Sequence, residues 1–151
     1  MYNNVINIVK KDRLVSVRNN EIIVKCKSSQ DAEACVKILN SLLNDGKSVV
    51  SIDYMDFNDA SGTSEYELDL VKNVAIDICS EHINTMELSD SRKYIICIVG
   101  NVSLADSTGI AEQIAKKIND QTILFSFIFE EEYQENMFDM YVWREKVIDE
   151  L

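Results

Sequence analysis

The chain has no proline, four glycines and a single histidine in 151 residues, and each scarcity excludes a class of protein. Without proline, and with so little glycine, no flexible linker divides the chain, and no internal repeat or low-complexity tract appears. One compact domain is expected, with residues 1–27 as a basic N-terminal hairpin and 28–151 as an α/β body. The few glycines also leave no GxxxxGK[ST] phosphate loop and no GxGxxG turn. Any histidine-dependent triad would have to use His82, and no GxSxG surrounds a serine. The four cysteines (Cys26, Cys35, Cys79 and Cys97) form no CxxC pair, so no metal site is expected. Each lies in an apolar periodic segment, as buried free thiols of a reducing compartment do. No apolar run approaches the roughly 20 residues that span a bilayer. The opening MYNNVINIVKKDR lacks the apolar core of a signal peptide. A cytoplasmic protein without membrane contact is the expectation.

Positive charge is scarce as well. The net charge is −11, and nucleic-acid binding requires a basic footprint that the whole chain lacks. The distribution is uneven: residues 1–27 carry +4 and the remainder −15. A basic end on an acidic body suits a solvated hairpin with lysines on its outer face. It would also attract an acidic partner or a second copy.

Hydrophobic residues make up 46% of the chain, enough for a core. RLVSVRNNEIIVKCK (13–27) reads as two strands around Asn19-Asn20, residues that tolerate a left-handed turn. SSQDAEACVKILNSLLNDG predicts a helix capped by Ser28 or Ser29, with Ala32, Cys35, Val36, Leu39, Leu42 and Leu43 as its apolar stripe and Gly46 as its stop. SVVSIDYMDF (48–57) follows as an expected strand. SEYELDLVKNVAIDICSEH (64–82) reads as a second helix, with capping-box spacing at Ser64 and Glu67 and an apolar face of Leu68, Val71, Val74, Ala75 and Ile78. KYIICIVG (93–100) is apolar enough for a strand buried on both faces. Residues 106–120 form a third helix, and TILFSFIFEE and MFDMYVWREK two strands joined as a hairpin by an acidic turn. The order β-β-α-β-α-β-α-β-β predicts an α/β (α+β) two-layer sandwich, its mixed sheet mostly parallel with antiparallel hairpins at the ends.

Few residues offer chemistry. VGNVSLADSTG follows a buried strand and opens a helix, a place where a phosphate can sit, but Gly100 and Gly109 alone do not make a phosphate loop. Cys79 and His82 share a helix face, yet nothing electropositive surrounds them to activate a thiolate, so packing cysteine and helix-end histidine is the reading preferred. Asp53 and Asp56 stand out because acids are poor strand formers. They mark a strand running out into a water-facing loop, or two carboxylates that hold a metal or polarise a water. No histidine or further acid is spaced to complete such a site, so no enzyme activity, metal or cofactor is expected.

The order from about residue 30 onward resembles the second half of the FtsZ/tubulin-like family: core helix, acidic loop and C-terminal domain. That family's loop reads N-x-D-x-x-D, and SIDYMD keeps Asp53 and Asp56 with Ser51 in place of asparagine. KYIICIVGNVSLADSTGIAEQIAKKI and TILFSFIFEEEYQENMFDMYVW are similar to its buried strand, loop, amphipathic helix and last strands. The family's GTP domain has no counterpart here, since about 30 glycine-free residues precede the helix. The resemblance therefore implies a non-enzymatic protein-interaction domain of cell division. It would cap or modulate a filament by offering Ser51, Asp53 and Asp56 to a tubulin-like GTPase, or would self-associate. NDASGTSEYELDL is similar instead to STAS domains, where a strand ends in Asp-Ser-Ser-Gly before a helix. That resemblance implies a phospho-regulated switch with Ser61 as acceptor.

Overall fold

The computed structural model describes residues 5–49, 52–58, 62–86, 93–117 and 122–146. Its strands are β1 (Ile8–Lys11), β2 (Leu14–Val17), β3 (Ile22–Lys25), β4 (Ser64–Ala75), β5 (Lys93–Gly100), β6 (Thr122–Phe129) and β7 (Met137–Glu145). Its helices are α1 (Ser29–Leu43), the single turn α2 (Tyr54–Phe57), α3 (Cys79–Thr85) and α4 (Leu104–Lys117). The strands form one seven-stranded mixed sheet in the order β1-β2-β3-β4-β7-β5-β6, and the fold is an α/β sandwich.

Several elements follow from their local sequence as expected. Arg18, Asn19 and Asn20 all take positive φ between β2 and β3, which pair as an antiparallel hairpin. Ser28 caps α1, its Oγ accepting from the Asp31 N–H at 3.0 Å. Ala32, Cys35, Leu39 and Leu42 are buried, and Gly46 at φ +60 ends the segment. β5 lies between β7 and β6, with Tyr94 to Gly100 all buried.

The expected helix over 64–82 is instead the 12-residue strand β4, followed by a short 3₁₀ turn and α3. Tyr66 and Leu68 are buried while Glu65, Glu67 and Asp69 alternate with them, so the period is two. The helix-like spacing of Val71 and Val74 comes from a bulge. The register to β7 shifts between these residues, Asn73 takes φ 56, and its N–H donates to Asp139 Oδ1 at 2.8 Å. The bulge returns Val74 to the face that Val71 occupies, a spacing of three within a strand. Ser64 and Glu67 form no capping box because no helix starts there.

The expected closing hairpin is not formed either. β7 runs antiparallel between β4 and β5, while β6 pairs in parallel with β5 on its other side. Four of the six strand pairings are antiparallel, so the sheet is less parallel than the alternation of elements predicted. Helices also cover both faces, giving three layers at the centre rather than two. Along β5, Ile95, Cys97 and Val99 join the core under α1, and Tyr94, Ile96 and Ile98 join the core under α3 and α4. Among the described residues, β1–β3 are covered by α1 alone: Val15, Val17, Ile22 and Val24 face it, and no described helix covers their opposite face.

Candidate functional site

Residues 48–57 do not form the expected strand. The Val49 N–H donates to Phe127 O at 2.8 Å, Ile52 is buried, and the chain then turns into α2. The two acids explain this turn. Asp53 is the N-cap: its Oδ1 accepts from the Asp56 N–H at 3.3 Å, and Asp56 Oδ2 accepts from the Asp53 N–H at 2.8 Å. This reciprocal capping box satisfies donors that a one-turn helix cannot satisfy internally. Spacing of three, which stood out in an apolar run, is the spacing that such a box requires. Asp53 remains exposed and Asp56 half-buried.

Three contacts fix α2 to the body. Phe57 is buried edge-on against Tyr66 and Trp143, each at 5.5 Å between centroids. Lys93 Nζ donates to Asp56 O. Asn58, almost fully buried, donates from Nδ2 to Glu21 O and Gly62 O, both at 3.0 Å. Tyr54 reaches the β2–β3 turn, where its hydroxyl donates to Glu21 Oε2 and the Arg18 guanidinium lies 4.9 Å over its ring. Burial, then the Glu21 carboxylate, pushes the Tyr54 hydroxyl above its ordinary pKa. The acidic turn is thus tied to the basic hairpin, a link the sequence does not announce because Glu21, Asn58 and Lys93 stand far apart in it.

Ser51 and Ser61 lie outside the described residues. Gly62 leads into β4, and α2 precedes it, so DASG lacks the preceding strand and following helix that the STAS resemblance implies. β4 likewise stands where the FtsZ resemblance expects a helix.

Among the described residues, no three His, Cys, Asp or Glu side chains gather to hold a metal ion. Cys79 is buried and its thiol is pushed up by that burial, the opposite of nucleophile activation. All four cysteines are buried and free. Burial raises Cys35 and Cys97 alike, and Cys35 also accepts from Trp143 Nε1 at 3.5 Å. Among the described residues no helix is long and apolar enough to cross a membrane.

Two surface features complete the inventory. On the open face of β1–β3, register aligns Lys11, Leu14 and Lys25 in one row, continued by Glu67 of β4, and Val9, Ser16 and Ile23 in the next. Val9 and Leu14 are 50% and 44% exposed there. At the opposite edge of the sheet, a cleft of about 230 Å³ opens at the C-terminal ends of β5 and β6, beside the start of α4.

No protein-family profile matches the chain, and no curated protein matches it in sequence. The functional reading therefore rests on its own residues.

Proposed function

We propose that the chain is a non-enzymatic protein-interaction domain that docks an acidic partner on the open face of β1–β3. The observation that carries this reading is the pair of exposed apolar residues, Val9 and Leu14, with Leu14 aligned between Lys11 and Lys25 on the face that α1 leaves bare. Apolar side chains between cations suit a partner that presents both acids and apolar groups. Its setting is the cytoplasm, where four free thiols stay reduced.

The partner that the FtsZ resemblance supports is a tubulin-like GTPase, with the domain capping or modulating its filament. Asp53, exposed, and Asp56, half-buried, lie at the start of α2, beside the β2–β3 turn, and each keeps one carboxylate oxygen outside the capping box. Purified chain added to a polymerising tubulin-like GTPase is expected to change light scattering or GTP turnover. Asp53→Ala should weaken that change while costing about 1 kcal/mol of stability through the lost cap. If neither signal moves with wild-type chain, the filament reading fails, and the acids are caps alone.

The docking face has a separate test. Lys11→Glu with Lys25→Glu exchanges exposed charges and should leave the melting temperature within about 2 °C. It should slow association with the partner severalfold and remove most of its salt dependence. Unchanged association would overturn the docking face. A concentration series of the chain alone identifies a second copy as the partner if its mass rises and the double variant abolishes the rise. The STAS alternative predicts one added phosphate on Ser61 by intact mass after kinase treatment.

A further inference from the structure

We propose that the cleft between β5, β6 and α4 binds a small neutral molecule with an apolar body and one hydroxyl or carbonyl group. The site is independent of the docking face, from which it is separated by the width of the sheet.

Size sets the first limit. At about 230 Å³ the cleft falls below the roughly 300 Å³ at which pockets for drug-sized ligands begin. Its walls set the second. Ile98, Val102 and Phe127 line it, and the exposed side chains of Val49, Leu104 and Phe129 rim it. An apolar body therefore gains by entering.

The polar groups are few and specific. Among the described residues, Ser103 and Ser107 are the only polar side chains that line the cleft, and no charged side chain does. Ser103 caps α4: its Oγ accepts from the Asp106 N–H at 3.1 Å, and its carbonyl accepts from the Ser107 N–H at 2.9 Å. The Ser107 side chain differs. The residue is 3% exposed, and its hydroxyl makes no hydrogen bond among the described residues. Buried hydroxyls are ordinarily paired. No side-chain oxygen or nitrogen among the described residues is sealed from solvent without a partner, so this oxygen opens on the cleft. A ligand with a single hydrogen-bonding group can bond this oxygen from the cleft.

Charge decides between a neutral group and an anion. The start of a helix favours negative charge. Here, however, Asp106 occupies the first turn, its N–H is already bonded to Ser103, and no lysine or arginine among the described residues lines the cleft. A carboxylate or phosphate would be desolvated with no counter-ion among the described lining residues. A hydroxyl or carbonyl meets no such cost.

The test is an amide-resolved NMR titration of the full chain with 1-hexanol and, separately, sodium hexanoate. Saturable shifts are expected for hexanol at Gly100, Val102, Leu104 and Ser107, with hexanoate binding at least about tenfold more weakly. Ser107→Ala should weaken hexanol about fivefold by removing the partner hydroxyl. Leu104→Ser, at an exposed rim position, should also weaken it and leaves the core intact. Absence of saturable shifts at these amides overturns the site. Hexanoate binding as tightly as hexanol overturns its preference for neutral ligands, and unchanged affinity in Ser107→Ala overturns the role of the hydroxyl.

Discussion

Trp143→Ala is expected to cost about 3–5 kcal/mol of folding stability and to lower the melting temperature by roughly 10 °C. Trp143 is fully buried in β7, the strand between β4 and β5, with Leu68 and Ile95 directly across from it. It stacks on Tyr141 at 5.9 Å and takes Phe57 at its edge at 5.5 Å. Its Nε1 donates to Cys35 Sγ on α1. One side chain thus joins the sheet to α1 and to the residue that anchors the acidic turn. Truncation leaves a cavity on this whole face, and the rigid sheet cannot collapse to fill it. Urea unfolding measures the loss, and a cost below 1 kcal/mol would refute the packing. Hydrogen exchange at 54–58 should accelerate before global unfolding, because Phe57 loses one of its two aromatic neighbours.

Gly100→Ala is expected to destabilise the protein by about 3 kcal/mol or more, although it adds one methyl group. A Cβ at this position would lie 2.4 Å from Met137 O and 2.6 Å from Phe138 Cα. Both are backbone atoms of β7, so no rotamer change relieves the clash. The end of β5 must move from β7, which strains the backbone pairings of Asn101 with Met137 and Asn136. By contrast, Gly109→Ala meets nothing within 4 Å and lies within α4, where alanine is favoured, so it serves as the control. Thermal melts of the two variants should diverge in sign; a Gly100→Ala protein as stable as wild type would contradict the close approach of β5 and β7.

The elements legible in the sequence are those decided within about fifteen residues. Asn19-Asn20 between alternating strands specifies a hairpin, and Ser28, an apolar stripe and Gly46 bracket a helix. KYIICIVG is apolar at seven of eight positions if Gly100 is included, which requires burial on both faces. Where two periods fit the same residues, local reading failed. Tyr66, Leu68 and Leu70 alternate as in a strand, but Leu68, Val71, Val74 and Ile78 also recur as in a helix, and only the bulge at Asn73 reconciles the two. The position of β7 is not legible at all, because no local feature distinguishes a strand that returns to its neighbour from one that inserts two places away. Asp53 and Asp56 were conspicuous, and their capping geometry is compatible with their spacing, yet the elements holding them come from residues 21, 58 and 93. The cleft is likewise assembled from three separate segments, at Val49, 98–107 and 127–129, of which only the turn after β5 carried a signal.

The strand at the seam of this sheet is also the last to be made. A chain emerging from its N-terminus can fold β1–β3 as hairpins, and can close β5, α4 and β6 as a local crossover. Until residues 137–145 emerge, however, the inward edges of β4 and β5 remain without the partner that later holds both. Two incomplete sheets must persist side by side, each with a long unpaired edge that another nascent chain could occupy. Completion of the sheet therefore waits for residues 137–145. A chain that ended before residue 137 would hold most of the core residues and no continuous sheet.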